Sequence, residues 1–120
     1  GSVVLIASAG GEVGIANHEA IAAAKAGVIG LTRSAAATYA SRRIRFNAVS
    51  PGLTRTPLTE RLTSNAKSLE VSQRMHPLGR IGEPEDIAAA IAWLMKPESA
   101  WVTGQVLSVD GGLTSIRATP

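Results

Sequence analysis

A chain of 120 residues with 45% hydrophobic, 18% charged and 3% aromatic side chains has the composition of one globular domain whose core is built from Ala, Val, Ile and Leu. It contains no cysteine, which excludes disulfides, thiolate nucleophiles and cysteine-ligated metal sites. The net charge of +3 is scattered apart from Arg42, Arg43 and Arg45, a pattern of solvated helix-end cations and not of a nucleic-acid surface, and no apolar run approaches the ~20 residues that cross a bilayer.

The β-branched and aliphatic run 3–7 reads as a parallel strand buried on both faces. After a glycine-containing loop at 8–16, Asn17 is placed to cap a long helix ending near Ala40, with apolar positions at Ile21, Val28, Leu31 and Ala35. Its small residues Ala22, Ala26 and Gly30 permit close approach of a second helix. Residues 45–49 read as a second strand, stopped by Ser50-Pro51-Gly52 because proline donates nothing to a ladder. The polar stretch 54–77, with short helical patches at 58–62 and 66–75, is the one place for a flexible, lid-like segment. Glu83-Pro84-Glu85 starts a further helix in the favoured way, running to about Met95 before Pro97. Residues 105–109 form a third strand closed by Asp110-Gly111-Gly112. Alternation of strand and helix with right-handed crossovers predicts one α/β domain over 1–120, with three parallel strands and flanking helices.

Three groupings invite a chemical reading. Gly10, Gly11 and Gly14 follow a strand, yet their spacing is not that of a dinucleotide fingerprint and no suitably placed acidic residue follows, so they read as a permissive loop. Glu83 and Asp86 resemble paired carboxylates, but at a helix start they read as caps. Glu60, His76 and Asp110 are too dispersed to predict a metal site.

The stretches GSVVLIASAGG, AAAKAGVIGLTRSAAATYASRRIRFNAVSPGLTRTP, LGRIGEPEDIAAAIAWLM and VTGQVLSVDGG, in this order, resemble the C-terminal half of short-chain dehydrogenase/reductases of the 3-oxoacyl-(acyl-carrier-protein) reductase type, over residues 1–113. The resemblance implies half of a Rossmann-like doubly wound sheet. It also implies NADP or NAD as cofactor, with weak or absent binding here because the glycine-rich phosphate loop belongs to the half that this chain lacks. In the family a tyrosine hydroxyl exchanges a proton with the substrate oxygen, a lysine one turn later lowers its pKa, and a serine polarises the carbonyl. Ser8 and Lys25 match the serine and lysine. The tyrosine position, four residues before Lys25, is Ile21, which has no ionisable proton. His18, one turn earlier, reads as a polar residue of the first helical turn and only secondarily as a substitute. Tyr39, fourteen residues beyond Lys25, is expected to pack on the sheet. Pro51, Gly52, Thr54 and Thr56 match the loop beside the nicotinamide, with the Thr54 backbone expected at the carboxamide and the Thr56 hydroxyl at the carboxamide or a nearby phosphate. Lys25 is also expected to reach the nicotinamide ribose.

These readings lead to three functional expectations: a fragment unable alone to transfer hydride, part of an active carbonyl reductase or alcohol dehydrogenase completed by another segment or chain, or a non-enzymatic assembly module. With no secretory pattern at its start, the chain is expected to be cytoplasmic, and its lost neighbours predict a homo-oligomer, most simply a dimer.

Overall fold

In the computed structural model, which describes residues 1–119, β2 (Arg45–Pro51) is the centre of a three-stranded sheet. On one side it pairs in parallel with β1 (Ser2–Ile6), from Ser2 opposite Arg45 to Ile6 opposite Val49. On the other it pairs in parallel with β3 (Val106–Val109), from Ala48 opposite Val106 to Pro51 opposite Val109. Helix α1 (Glu19–Tyr39) covers one face, and α4 (Pro84–Met95) the other. This is the parallel α/β architecture expected from the alternating pattern. Between β2 and α4 lie a 3-10 turn (Pro57–Thr59), α2 (Glu60–Thr63) and α3 (Ala66–Met75).

Burial follows the position of each strand. Ala48, Val49 and Ser50 in β2 are fully buried, and Ala48 meets Ala7 and Ile29 in a small aliphatic core flanked by Leu5, Val28 and Val106. β1, read as buried on both faces, is half-buried instead, with Ile6 40% exposed. It sits at the margin of the sheet with a ladder partner on one side only, while the helical layers centre on β2. β2 also runs two residues past the expected stop. The nitrogen of Pro51 faces the side on which β1 has already ended, and Gly52 N–H continues the pairing to Val109 O at 3.0 Å, so proline costs the ladder nothing.

Two local expectations change. Asn17 is not the cap of α1; it takes a left-handed conformation (φ 63°), which asparagine tolerates, and His18 is the residue preceding the first turn, without a side-chain capping bond. Arg45 is not a solvated helix-end cation. It points to the α4 face, where Nη2 donates to Leu94 O at 2.7 Å and Nη1 to Val102 O at 3.0 Å. Tyr39 does pack on the sheet, its ring 5.4 Å from that of Phe46 in β2, with the Arg42 guanidinium carbon over the Tyr39 ring at 5.6 Å from its centroid. Among the described residues, no helix is long and apolar enough to cross a membrane.

Candidate active site

The residues singled out from the sequence gather at the carboxyl ends of β1 and β2, where open parallel sheets place their ligand sites. Ser8 follows β1 and caps the 3-10 turn Ala9–Gly11, its Oγ accepting from Gly10 N at 3.1 Å. That turn lies directly on α1. A side chain on Gly11 would put its Cβ 2.9 Å from the carbonyl carbon and Cβ of Lys25 and from Ala26 N, so only glycine permits the contact. Lys25 is thereby held beside the end of β1, with Nζ donating to Ile6 O at 3.0 Å. An ammonium has three donors, and two remain for other acceptors.

Ile21 occupies the turn before Lys25 and is 42% exposed. It contributes an aliphatic surface and no proton. His18 stands just ahead of the helix, not in its first turn. Its Nδ1 lies 2.8 Å from Ala16 O, to which it must donate.

The loop after β2 is fixed from several directions. Gly82 N donates to Leu53 O at 2.8 Å and Arg55 N to Gly82 O at 2.9 Å. Thr56 Oγ1 and Thr59 Oγ1 form a reciprocal cap, with Thr56 N donating to Thr59 Oγ1 at 3.0 Å. Thr59 Oγ1 also donates to Thr54 O at 2.5 Å. The Thr56 hydroxyl therefore serves the turn. Because the Leu53 carbonyl and the Arg55 N–H both face Gly82, the intervening Thr54 N–H points the other way and stays uncommitted among the described residues.

Sequence reasoning missed Thr59 and weighed His76 only as a metal ligand. The first was signalled by Thr-x-x-Thr at 56–59, a variant of the capping box. His76 had no local signal: it is 4% exposed and comes from the end of α3 to accept Leu53 N–H on Nε2 at 3.1 Å. It borders a cavity of about 320 Å³ together with Gly52, Leu53, Arg80, Asp110 and Gly111, whereas Ser8 and Lys25 lie outside that lining.

The carboxylates play the parts expected of caps. Asp86 Oδ2 accepts Glu83 N–H at 2.8 Å, and the two form a capping box on α4. Asp86 is also gripped by both terminal nitrogens of the Arg80 guanidinium, at 2.7 and 3.1 Å. The Arg80 hydrogen bond, followed by that from Glu83 N–H, lowers the Asp86 carboxyl from 3.8 to about 2. Asp110 accepts from Gly112 N at 2.9 Å and from Thr114 N at 3.0 Å, closing the turn after β3. No group of three or more His, Asp and Glu is placed to hold a metal among the described residues.

Comparison with known proteins supplies the ancestry of this arrangement. A family profile described as enoyl-(acyl carrier protein) reductase matches residues 1–114. The 3-oxoacyl-(acyl-carrier-protein) reductase of Thermotoga maritima is 47% identical over 113 residues, which cover 94% of this chain and 45% of that protein. The 2,5-dichloro-2,5-cyclohexadiene-1,4-diol dehydrogenase of Sphingobium indicum is 45% identical over 117 residues, 97% of this chain and 47% of that one. Among solved structures, a provisionally assigned 2-deoxy-D-gluconate 3-dehydrogenase from Agrobacterium tumefaciens with bound NADP superposes with a TM-score of 0.91 at 38% identity, covering 97% of this chain and 47% of that one. A short-chain type dehydrogenase/reductase from Mycobacterium ulcerans gives 0.91 at 34% identity, over 95% and 42%. The chain spans about half the length of these relatives.

Proposed function

We propose, for a chain that belongs to the short-chain dehydrogenase/reductase family and resembles the C-terminal half of 3-oxoacyl-(acyl-carrier-protein) reductases, that it forms the nicotinamide side of an NAD(P) oxidoreductase site and is unable by itself to transfer hydride. The observation that carries this reading is Ile21: Lys25 is held at the end of β1, but the side chain one turn before it has no proton to exchange.

The donor set fits the nicotinamide end of NADP or NAD. The uncommitted Thr54 N–H suits a carboxamide oxygen, and the two remaining donors of Lys25 suit ribose hydroxyls. The NADP bound by the Agrobacterium tumefaciens relative favours the same ligand class. When bound, the dinucleotide supplies or takes up the hydride. Ser8 would donate a hydrogen bond to a substrate carbonyl, its Oγ already oriented by Gly10 N–H, and Lys25 would orient the ribose. A proton for the substrate oxygen must come from elsewhere. Binding should be weaker than millimolar, since the larger part of a dinucleotide surface lies outside these residues.

The decisive assay is NAD(P)H-dependent reduction of a β-ketoacyl thioester by the purified chain. No turnover above the buffer rate is expected, and Ile21→Tyr should not restore it, because the cofactor would still lack orientation. Turnover that Lys25→Ala abolishes would overturn the reading.

The open outer edge of β1 favours a second reading, in which these residues are half of a complete oxidoreductase whose remaining strands come from another segment or chain. Addition of that half should then produce activity dependent on Ser8 and Lys25. A related proposal is self-association: the β1 edge and the exposed face of α1, including Leu31 at 57% exposure, suit a two-fold dimer of this chain.

A further inference from the structure

We propose that His76 is a positioning residue that latches the end of α3 onto the nicotinamide-side loop, and that the latch holds only while its imidazole is neutral. The proposal deepens the reading of residues 51–56 given above and rests on it for what the latch serves.

The ring is bonded at both ends. Nδ1 lies 2.6 Å from Ser72 O, an acceptor only, so Nδ1 carries the proton. Nε2 lies 3.1 Å from Leu53 N, a donor only, so Nε2 carries the lone pair. One neutral tautomer satisfies both partners, and a protonated ring satisfies one. Protonation would turn Nε2–H toward Leu53 N–H, setting two donors face to face in a site where the ring is 4% exposed.

The packing shows that this contact is built and not incidental. A Cβ on Gly52 would fall 2.7 Å from Nε2 and 3.0 Å from Cδ2, so this edge of the ring sits against backbone that only glycine leaves open. The backbone beyond it is anchored as well: Gly79 N donates to His76 O at 2.7 Å, and Leu78 N to Gly111 O at 3.0 Å. The side chain thus joins α3 to the loop after β2, and the backbone that follows it joins both to the turn after β3. Leu53 is also the residue whose carbonyl pairs with Gly82, which directs the Thr54 N–H outward. Loss of the latch should therefore disturb the donor assigned to the nicotinamide carboxamide.

Neighbouring charges leave no competing partner for the ring. Asp110, at the end of β3, is consumed by Gly112 N–H, Thr114 N–H and the Thr114 hydroxyl. Arg80, from the segment before α4, is paired with Asp86 on that helix, and Arg74, on α3 itself, is paired with Glu70 at 2.6 Å. Arg117 lines a second cavity together with His76, Glu70 and Arg74.

The test follows hydrogen exchange of the Leu53 amide by NMR, corrected for its intrinsic pH dependence, in the full chain, in His76→Gln and in His76→Phe. The His76 ring resonances are monitored as the pH is lowered until they report the protonated ring. In the native chain, Leu53 protection should fall about ten-fold or more as the ring takes up its proton, the scale of one lost hydrogen bond. Glutamine offers an acceptor that does not titrate, so His76→Gln should retain protection at every pH. Phenylalanine keeps the bulk without the nitrogens, and His76→Phe should be unprotected throughout. Protection that ignores the ring's titration in the native chain would overturn the proposal, and so would equal protection in native chain and His76→Phe. Nicotinamide riboside, which carries no titrating phosphate, is added as the second probe. Its shift changes at residues 51–56 should weaken wherever Leu53 protection is lost. Protection that tracks His76 while the riboside perturbs none of those residues would uphold the latch and overturn the nicotinamide reading of the loop, so the two failures are separable.

Discussion

Asn47 acts as a piece of backbone for the residues ahead of β3: its Oδ1 accepts Gln105 N–H at 3.0 Å and its Nδ2 donates to Val102 O at 3.0 Å. The side chain is 1% exposed, so both ends must be satisfied within the protein. Asn47→Leu keeps the volume and removes both bonds, leaving Gln105 N–H without its acceptor. A loss of about 1–3 kcal/mol is expected in urea unfolding, and Asn47→Asp should be no milder, because it sets a buried carboxylate oxygen against the Val102 carbonyl. An unchanged midpoint for Asn47→Leu would mean that water replaces the side chain.

Two glycine substitutions should act in opposite directions. Gly11→Ala must push its methyl into Lys25 and Ala26 backbone, costing about 1–3 kcal/mol and moving Nζ away from Ile6 O. Gly30→Ala, mid-helix with nothing within 4 Å of the new Cβ, should stabilise the fold by about 0.5–1 kcal/mol. Thermal melts of the two variants check both signs.

The Arg80–Asp86 pair gives a pH dependence of known sign. A carboxyl whose folded pKa is held below its unfolded value favours the fold at pH above the unfolded pKa. That preference is complete above the ordinary 3.8 and is lost as the pH falls through about 2. Carboxyl NMR titration should find Asp86 near the lower figure. In Arg80→Met it should rise toward the ordinary range but stop short of it, since Glu83 N–H still bonds the carboxylate. A value unmoved by the substitution would show that the guanidinium is not the main cause.

Self-association is open to light scattering. Hiding each 100 Å² of apolar surface contributes roughly 2.5 kcal/mol before association entropy, so the exposed α1 face and β1 edge should give a dimer at micromolar concentration. Ala26→Glu should dissociate it if the helix face is used. A stable monomer of 12.4 kDa would rule the proposal out.

The parallel order of the strands is legible because β1 is a continuous aliphatic run, proline and glycine close the second and third strands, and each crossover contains a helix-period pattern. The ends of elements were less so. Asn17 has the chemistry of a cap, but the backbone uses its tolerance of positive φ, and nothing in the sequence distinguishes the two uses. Lys25 and Ile21 could be placed by spacing alone, since both lie on one helix. His76 could not, because its partner Leu53 is 23 residues away and the bond exists only once α3 folds back over the loop. Arg45 was misread for a similar reason: its neighbours in sequence are exposed cations, while its bonding partners lie 49 and 57 residues further along.

The carbonyl of Leu94 receives three donors: Ser2 Oγ at 2.9 Å, Arg45 Nη2 at 2.7 Å and Ser99 Oγ at 2.9 Å. Only the last is local; Ser2 is 92 residues away along the chain. Its consequence is kinetic. The final turn of α4 cannot acquire its native bonding until β1 and β2 are already paired, so loop closure across most of the chain precedes the reward for it. Folding is then governed by search and not by helix propensity, and α4 should emerge among the last elements to gain protection in a refolding experiment, with the two ends of the polypeptide becoming ordered together.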